Sequence, residues 1–410
     1  MPPRGEAGRD RLSALPDDLL HRILRPLDAR QAAGDLSLLS RRWRRVWASS
    51  PFVTFSQRSA RSERFGNNLL LLRDPVDLRA FSLHSSDRGN GNFFFQHRWL
   101  RHALSRGLRV LELTLRSSSP FQVPDCLFAC ATLEEISLSS KITEVLAPKS
   151  EVSLPRLKKL HLEMVCIVPS AMEKFNSGWP ALEDLNLSRC LLDLGSFKLS
   201  SETVKSLSIT DCTYGEIHVC APSTTSLKIK VSSIVHLSAM PSLVSAWVYV
   251  CDYAAGYLAP YASDLVAALC NAQRLELFRF DLILQDVMQK SAATEGLSFS
   301  NLESLYVGEW LVTDFYNALA FFTQRAPNLA TLALDQWKLY QRLNGSLPSD
   351  MVGEKKPTTD GKLKLLSALP KNIEKLWVRL SKGDDVEEFR KMRSLLKEKT
   401  KPREMEVVWF

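Results

Sequence analysis

Eight cysteines and seven histidines are the side chains through which this chain of 410 residues could bind a metal or attack a substrate. Their spacing supports neither. Cys126 and Cys130 are the closest cysteine pair, no C-x-x-C pair occurs, and no cysteine joins histidines at the separations of zinc ligands. The cysteines therefore read as reduced thiols. His97 and His102 lie on a segment of helical periodicity but are too far apart to share a face, so both are expected on its solvent side. The phosphate-binding loop, the dinucleotide fingerprint, the nucleophile elbow and the H-E-x-x-H motif are all missing from the sequence. Catalysis by this chain is not expected, and neither is a cofactor or a metal.

Charge is the next candidate. The net charge is +8, yet residues 1–64 carry 13 Arg, no Lys and 7 Asp or Glu, which leaves only +2 for the remainder. A nucleic-acid-binding surface would spread cations along its length, so nucleic acid is not an expected partner. The most apolar stretch, Pro241 to Ala272, is broken by Asp252, Pro260 and Asp264, which a membrane-spanning helix would avoid. No apolar leader precedes Leu12, so the sequons at Asn186 and Asn344 are expected to be unused and the protein to reside in the nucleus and/or cytoplasm.

What organises most of the chain is a repeat. The pattern L-x-x-L-x-L recurs at Leu108-Leu111-Leu113, Leu133-Ile136-Leu138, Leu157-Leu160-Leu162, Leu182-Leu185-Leu187, Val204-Leu207-Ile209, Leu302-Leu305-Val307 and Leu329-Leu332-Leu334. Weaker copies are Thr224-Leu227-Ile229 and Leu243-Ala246-Val248, with further ones near Leu275-Leu277 and Ile373-Leu376-Val378. From Leu111 to Ala246 the central residues are 25, 24, 25, 22, 20 and 19 apart, the period of leucine-rich repeats. The two alternate apolar residues of each copy point inward from a short strand, and stacking repeats buries what one repeat cannot. Pro155, Pro180, Pro222, Pro241 and Pro327 each stand five residues before a central position, where proline ends the preceding segment. Cys190, Cys212 and Cys251 take the Asn/Cys position of the template and are expected to be structural.

Residues 93–106 (FFFQHRWLRHALSR) set Phe95, Trp99, Ala103 and Leu104 against Arg98, Arg101 and Arg106, which predicts a capping helix. Residues 344–362 are polar and rich in Gly, Pro and Lys and predict a surface loop. Val386 to Lys399 has helical spacing, and Glu406 to Phe410 reads as a last strand.

Residues 12–50 have a different, helical periodicity. Pro16 can open a helix whose first turn carries Asp17 and Asp18, with Leu20, Ile23, Leu24 and Leu27 as one stripe, and a later helix aligns Leu39, Trp43, Val46 and Trp47 among Arg41, Arg42, Arg44 and Arg45.

The motif L-P-x-D-L-L-x-x-I-L followed by L-S-R-R-W-R-x-x-W resembles the F-box of plant F-box/leucine-rich-repeat proteins. W-L-R-H-A-L-S-R-G-L at 99–108, Asp125-Cys126-Leu127-Phe128, Pro180 to Leu185, Ala221-Pro222, and Asn301 through Trp310 are similar to that family's repeat region. Trp377 to Phe410 faintly resembles its FBD tail. The resemblance implies a module that docks a Skp-type adaptor and, through it, a cullin, in a ubiquitin ligase whose protein substrate is held by the repeats. Carried onto this sequence, the adaptor contacts would be Leu15, Pro16, Leu19, Leu20, Ile23 and Leu24, with Leu39, Trp43 and Trp47 shared between module core and interface. Between Arg30 and Ser40 this chain is one residue longer than the family pattern, which predicts an irregular turn at Gly34-Asp35-Leu36.

The expected architecture is α/β: a helical F-box followed by a leucine-rich-repeat solenoid with a parallel sheet. The expected divisions are a disordered 1–11, the F-box at 12–52, a linker and cap at 53–107, repeats at 108–340, a loop at 341–365, and a last repeat with a C-terminal cap at 366–410. Substrate contacts are expected at Tyr306, Glu309, Trp310, Asp335 and Trp337, on or just beyond the strands. A repeat scaffold without ligase function and a co-receptor that needs a small molecule remain open as alternatives.

Overall fold

A computed structural model of the protein describes residues 12, 14–57, 64–69, 73–74, 76–86, 94–116, 123–192, 195–251, 261–280, 283–284, 287–288, 296–309, 312–336, 373–380, 394 and 404–409. The expected disordered start, the loop at 341–365 and the helix over 386–399 lie outside these residues, save for position 394. The chain forms two compact units, Met1–Glu183 with Leu187–Leu192, and Asp184–Asn186 with Asp193–Phe410. Among the described residues no helix is long and apolar enough to cross a membrane.

The first unit opens with three helices, α1 (Asp17–Leu24), α2 (Ala29–Leu39) and α3 (Arg41–Ala48). Asp28 caps α2 by accepting the backbone N–H of Arg30, and Ser40 caps α3 by accepting that of Trp43. Leu20, Leu24, Trp43 and Val46 form the core of this module, with Leu15, Leu27, Leu36 and Trp47 around it. Two expectations fail here. Gly34 lies within the unbroken α2, so the extra residue lengthens a helix where a turn was expected. The anticipated helix over Leu39–Trp47 is divided at Ser40, whose extended backbone (φ −166°, ψ 168°) takes Leu39 off the face that carries Trp43.

Parallel strands follow in order: β1 (Phe52–Gln57), β2 (Ala80–Ser85), β3 (Val110–Leu115), β4 (Glu135–Leu146) and β5 (Lys159–Ile167). The sheet thus begins inside the region expected to be linker and cap. The template was already there, with Leu78, Phe81 and Leu83 in the spacing of L-x-x-L-x-L and all three buried. A short helix α4 at 64–69 follows β1, and α5 (Phe94–Leu104) crosses from β2 to β3, so α5 is the covering helix of a repeat and not a cap. Its Trp99 meets the Phe55 ring edge-on at 4.9 Å, and the Trp99 indole donates to Asn67 Oδ1 at 3.0 Å. His97 and His102 are half-buried, not solvent-facing. Burial, then the charge of Arg106, holds the His102 pKa below the ordinary histidine value. The helix α6 (Pro169–Gly178) covers the repeat after β5.

β6 (Asp184–Ser188) contains the division between the units. In the second unit β8 (Ser206–Thr210), β10 (Ser226–Val231), β12 (Ser245–Val250), β13 (Arg274–Phe278), β14 (Ser304–Gly308), β15 (Thr331–Gln336), β16 (Lys375–Leu380) and β17 (Glu404–Trp409) pair in parallel in that order. A separate parallel sheet joins β7 (Ser196–Ser200), β9 (Glu216–Cys220) and β11 (Ile234–Leu237). These repeats are the shortest, and a strand takes less chain than a covering helix. The helices α7 (Ala262–Ala268) and α8 (Val312–Arg325) return where the repeats lengthen.

The regularity has a local cause. Each of the five expected prolines is the second residue of a turn in which the residue before it accepts the backbone N–H of the first residue of the repeat pattern, as Leu157 to Leu154 at 3.1 Å and Leu182 to Trp179 at 3.1 Å. Four residues after the central position, Met164, Arg189, Asp211, Arg279 and Glu309 have φ between 52° and 57°; the last four turn the chain out of its strand, and Met164 lies within β5. Cys190 and Cys212 come next, buried, with their thiols donating to the carbonyls of Ser188 and Thr210.

Candidate functional site

Helix packing in the N-terminal module separates two sets of apolar residues. α1 turns Leu20 and Leu24 inward, where they have 0% and 6% of their surface exposed, and leaves Leu19 and Ile23, one turn apart, at 43% and 45%. At the end of α2, Leu38 and Leu39 are 84% and 63% exposed, and Leu12 is 45% exposed. These five are the large apolar side chains left exposed among the described residues, and all lie between positions 12 and 39. Of the contacts the family resemblance implies, Pro16, Leu19, Ile23 and Leu39 are outward and Leu15 and Trp47 half-buried, whereas Leu20, Leu24 and Trp43 fill the core and offer a partner almost no surface. Leu38 was not expected. Its signal was present, because an uninterrupted helix through Gly34 sends it outward.

Polar contacts fix this module. Arg42 donates to the Leu15 carbonyl at 2.6 Å and to Asp17 at 2.7 Å, joining α3 to the start of α1. The Trp47 indole donates to Ser37 Oγ at 2.8 Å, and the buried His21 donates through Nε2 to the Val46 carbonyl at 2.9 Å. The module is also tied to the segment between β1 and β2. Arg73 reaches the carbonyls of Trp47 and Ser50, and burial holds its pKa down to about 10. Between α1 and the outward side of β1–β3 lies a cleft of about 360 Å³ lined by Arg22, Arg25, Phe52, Ser82, His84 and Glu112.

The second unit carries a different surface. On the side of β10–β14 opposite the buried leucines, register aligns Lys228, Trp247, Glu276 and Tyr306 in one row and Lys230, Tyr249, Phe278 and Gly308 in the next. Phe278 lies 5.5 Å from Trp247 and 5.3 Å from Tyr306 between ring centroids, and Lys228 sits 5.1 Å over Trp247. Lys230 is held 2.5 Å from Asp211, which keeps its pKa above the ordinary lysine value, and Tyr249 donates to Glu309 at 3.2 Å. Tyr306 and Glu309 are therefore part of this surface. The Asp335 backbone pairs with Gly308, its side chain is not described, and Trp310 and Trp337 lie outside the described residues. The sequence reading missed Lys228, Trp247, Tyr249 and Phe278, although three of them are aromatic residues alternating with buried aliphatics in their strands.

Two family models match the chain: the F-box domain over residues 12–55, and the leucine-rich repeats of FBD-associated F-box protein At5g56370 over residues 96–239. F-box/FBD/LRR-repeat protein At4g26340 of Arabidopsis thaliana is 30% identical over 350 residues, covering 79% of this chain and 77% of its own length. The chain belongs to the plant F-box/LRR family. Putative F-box/FBD/LRR-repeat protein At5g44950 of the same plant is 31% identical over 50% of this chain and 48% of its own length. The aligned part of this F-box/LRR protein thus spans about half the length of some curated relatives and more than three quarters of another. F-box domains in general bind Skp-type adaptors, and the three-helix module described above occupies the residues the F-box model matches.

Proposed function

We propose that this F-box/LRR protein is the substrate-recognition subunit of an SCF-type ubiquitin ligase acting in the nucleus and/or cytoplasm. Pro16, Leu19, Ile23, Leu38 and Leu39 dock a Skp-type adaptor, which links the chain to a cullin, and the aromatic rows of the second unit contact the protein substrate. The observation that supports the adaptor half is the confinement of exposed large apolar side chains, among the described residues, to positions 12–39. Covering the exposed part of each would contribute a share of the roughly 1.5–3 kcal/mol of a fully exposed side chain, largest for Leu38. The chain then supplies no catalytic group. It raises the effective concentration of a substrate lysine at the activated ubiquitin thioester.

Capture of a Skp-type adaptor by the full chain tests this reading. Leu19→Asp with Ile23→Asp should abolish capture while the circular dichroism spectrum and melting temperature stay close to those of the parent. A native chain that never captures an adaptor, or a folded double variant that captures it undiminished, refutes the ligase role and leaves a repeat scaffold.

A further inference from the structure

The short second sheet brings together three side chains that the substrate and adaptor surfaces do not use. Glu216 and His218 point from the same side of β9, and His236 is the register partner of His218 on β11. The two imidazoles stack with centroids 4.2 Å apart and planes 3° from parallel. Both Nε2 atoms turn to the same carboxylate oxygen of Glu216, at 2.9 Å from His218 and 2.7 Å from His236. The three donor atoms lie within 4.8 Å of one another, and all three residues are half-buried. Tyr261, at the start of α7, closes the far side with its ring 4.3 Å from His236.

We propose that Glu216, His218 and His236 form a binding site for a divalent transition-metal ion, zinc by preference. Two imidazoles and a carboxylate are the His₂Glu donor set, which favours zinc, nickel or copper over calcium or magnesium. Three protein ligands leave a fourth position for water or a partner's side chain. Donors about 2.0–2.1 Å from a tetrahedral ion stand roughly 3.3 Å apart. The Glu216 oxygen is closer than that to both nitrogens, so Glu216 withdraws slightly and the rings tilt about χ2, a soft torsion. Other polar side chains share this face: Ser196, Lys198 and Ser200, the register partners of Glu216, His218 and Cys220 on β7, and Cys220 itself, two residues beyond His218. The Lys198 ammonium sits on a flexible stem and can swing away from an arriving cation. The bound ion clamps β9 to β11 and, through His236, to Tyr261.

The test is zinc titration of the reduced, chelator-stripped full-length chain, followed by calorimetry and by hydrogen exchange at β9 and β11, with cobalt as a spectroscopic stand-in. The proposal expects saturation at one zinc per chain, slower exchange in β9 and β11, and a cobalt spectrum of nitrogen and oxygen ligands. His218→Ala, His236→Ala and the milder Glu216→Gln should each weaken binding at least about tenfold, and Cys220→Ser should not. No saturable binding by the native chain, a thiolate cobalt spectrum, or unchanged affinity in folded Glu216→Gln and His236→Ala chains would overturn it. The native-chain measurements decide the matter even if a histidine variant fails to fold.

Discussion

The Asp28 carboxylate couples the F-box to the first repeat strand at Ser56: Oδ2 accepts the Ser56 backbone N–H at 2.7 Å while Oδ1 accepts that of Arg30 at 2.9 Å. One side chain thus serves as helix cap and as an edge partner for β1. Asp28→Ala loses both bonds at a half-buried position and should cost about 1–3 kcal/mol. Hydrogen exchange should report faster opening of α2 and β1 than of β3. Uniform acceleration across the first unit would show that Asp28 has no local coupling role.

Trp247 occupies the middle of the aromatic surface, under Lys228 and beside Phe278. Its half-exposed ring packs on a strand whose inward neighbours Ala246 and Val248 remain in place. Trp247→Ala should therefore weaken capture of the substrate by about 2 kcal/mol or more if this surface is its contact, with adaptor capture unchanged. Equal loss of both would mean that the variant damages the fold, and loss of neither would move the substrate elsewhere.

Tyr214 is buried, and its hydroxyl accepts the Ser232 backbone N–H at 3.2 Å, linking adjacent repeats. Burial is the largest cause raising its pKa from 10.0 to about 12. The folded chain therefore keeps a proton that the unfolded chain releases above its ordinary value. The associated stability is complete below pH 10, declines between 10 and about 12, and is lost as pH rises through the folded value. The slope is at most about 1.4 kcal/mol per pH unit. Tyr214→Phe should flatten this part of the alkaline loss, read as denaturation midpoints on either side of pH 10. An unchanged slope would assign the alkaline loss to other groups.

Gly178 ends α6 with no room for a side chain. A Cβ there would stand 2.6 Å from the Val152 carbonyl oxygen, and the Gly178 carbonyl itself accepts the Leu154 N–H. Backbone cannot move aside as a flexible side chain can. Gly178→Ala should cost about 1–3 kcal/mol, seen as a lower melting temperature of the chain. A neutral effect would show that Val152 and its turn yield freely.

Much of this architecture was legible as periodicity. Leu111, Leu160, Leu207 and Leu332 announced strands because alternation around each is clean, and a proline turn precedes Leu160 and Leu332. Phe81 with Leu83 escaped because a phenylalanine stood at the leucine position, which hid two repeats in a supposed linker. β7, β9 and β11 escaped because three short strands in a compressed repeat carry little pattern of their own. The F-box helices were readable, but which face of each pointed outward was not. Leu19 and Leu20 are adjacent and chemically identical, and only the packing of Trp43 and Val46 decides that the second is core. His218 and His236 looked unrelated in sequence because only strand register makes them neighbours.

The break between α2 and α3 at Ser40 has a consequence for how this protein exists in water. A continuous helix would have carried Leu39 toward the side of Trp43 and hidden it, whereas the capped break leaves Leu38 and Leu39 wet. Among the described residues none covers them, so the free energy of their hydration is held in reserve. It is released when a second surface dries them, which makes the solubility of the free chain and its affinity for that surface opposite readings of one quantity.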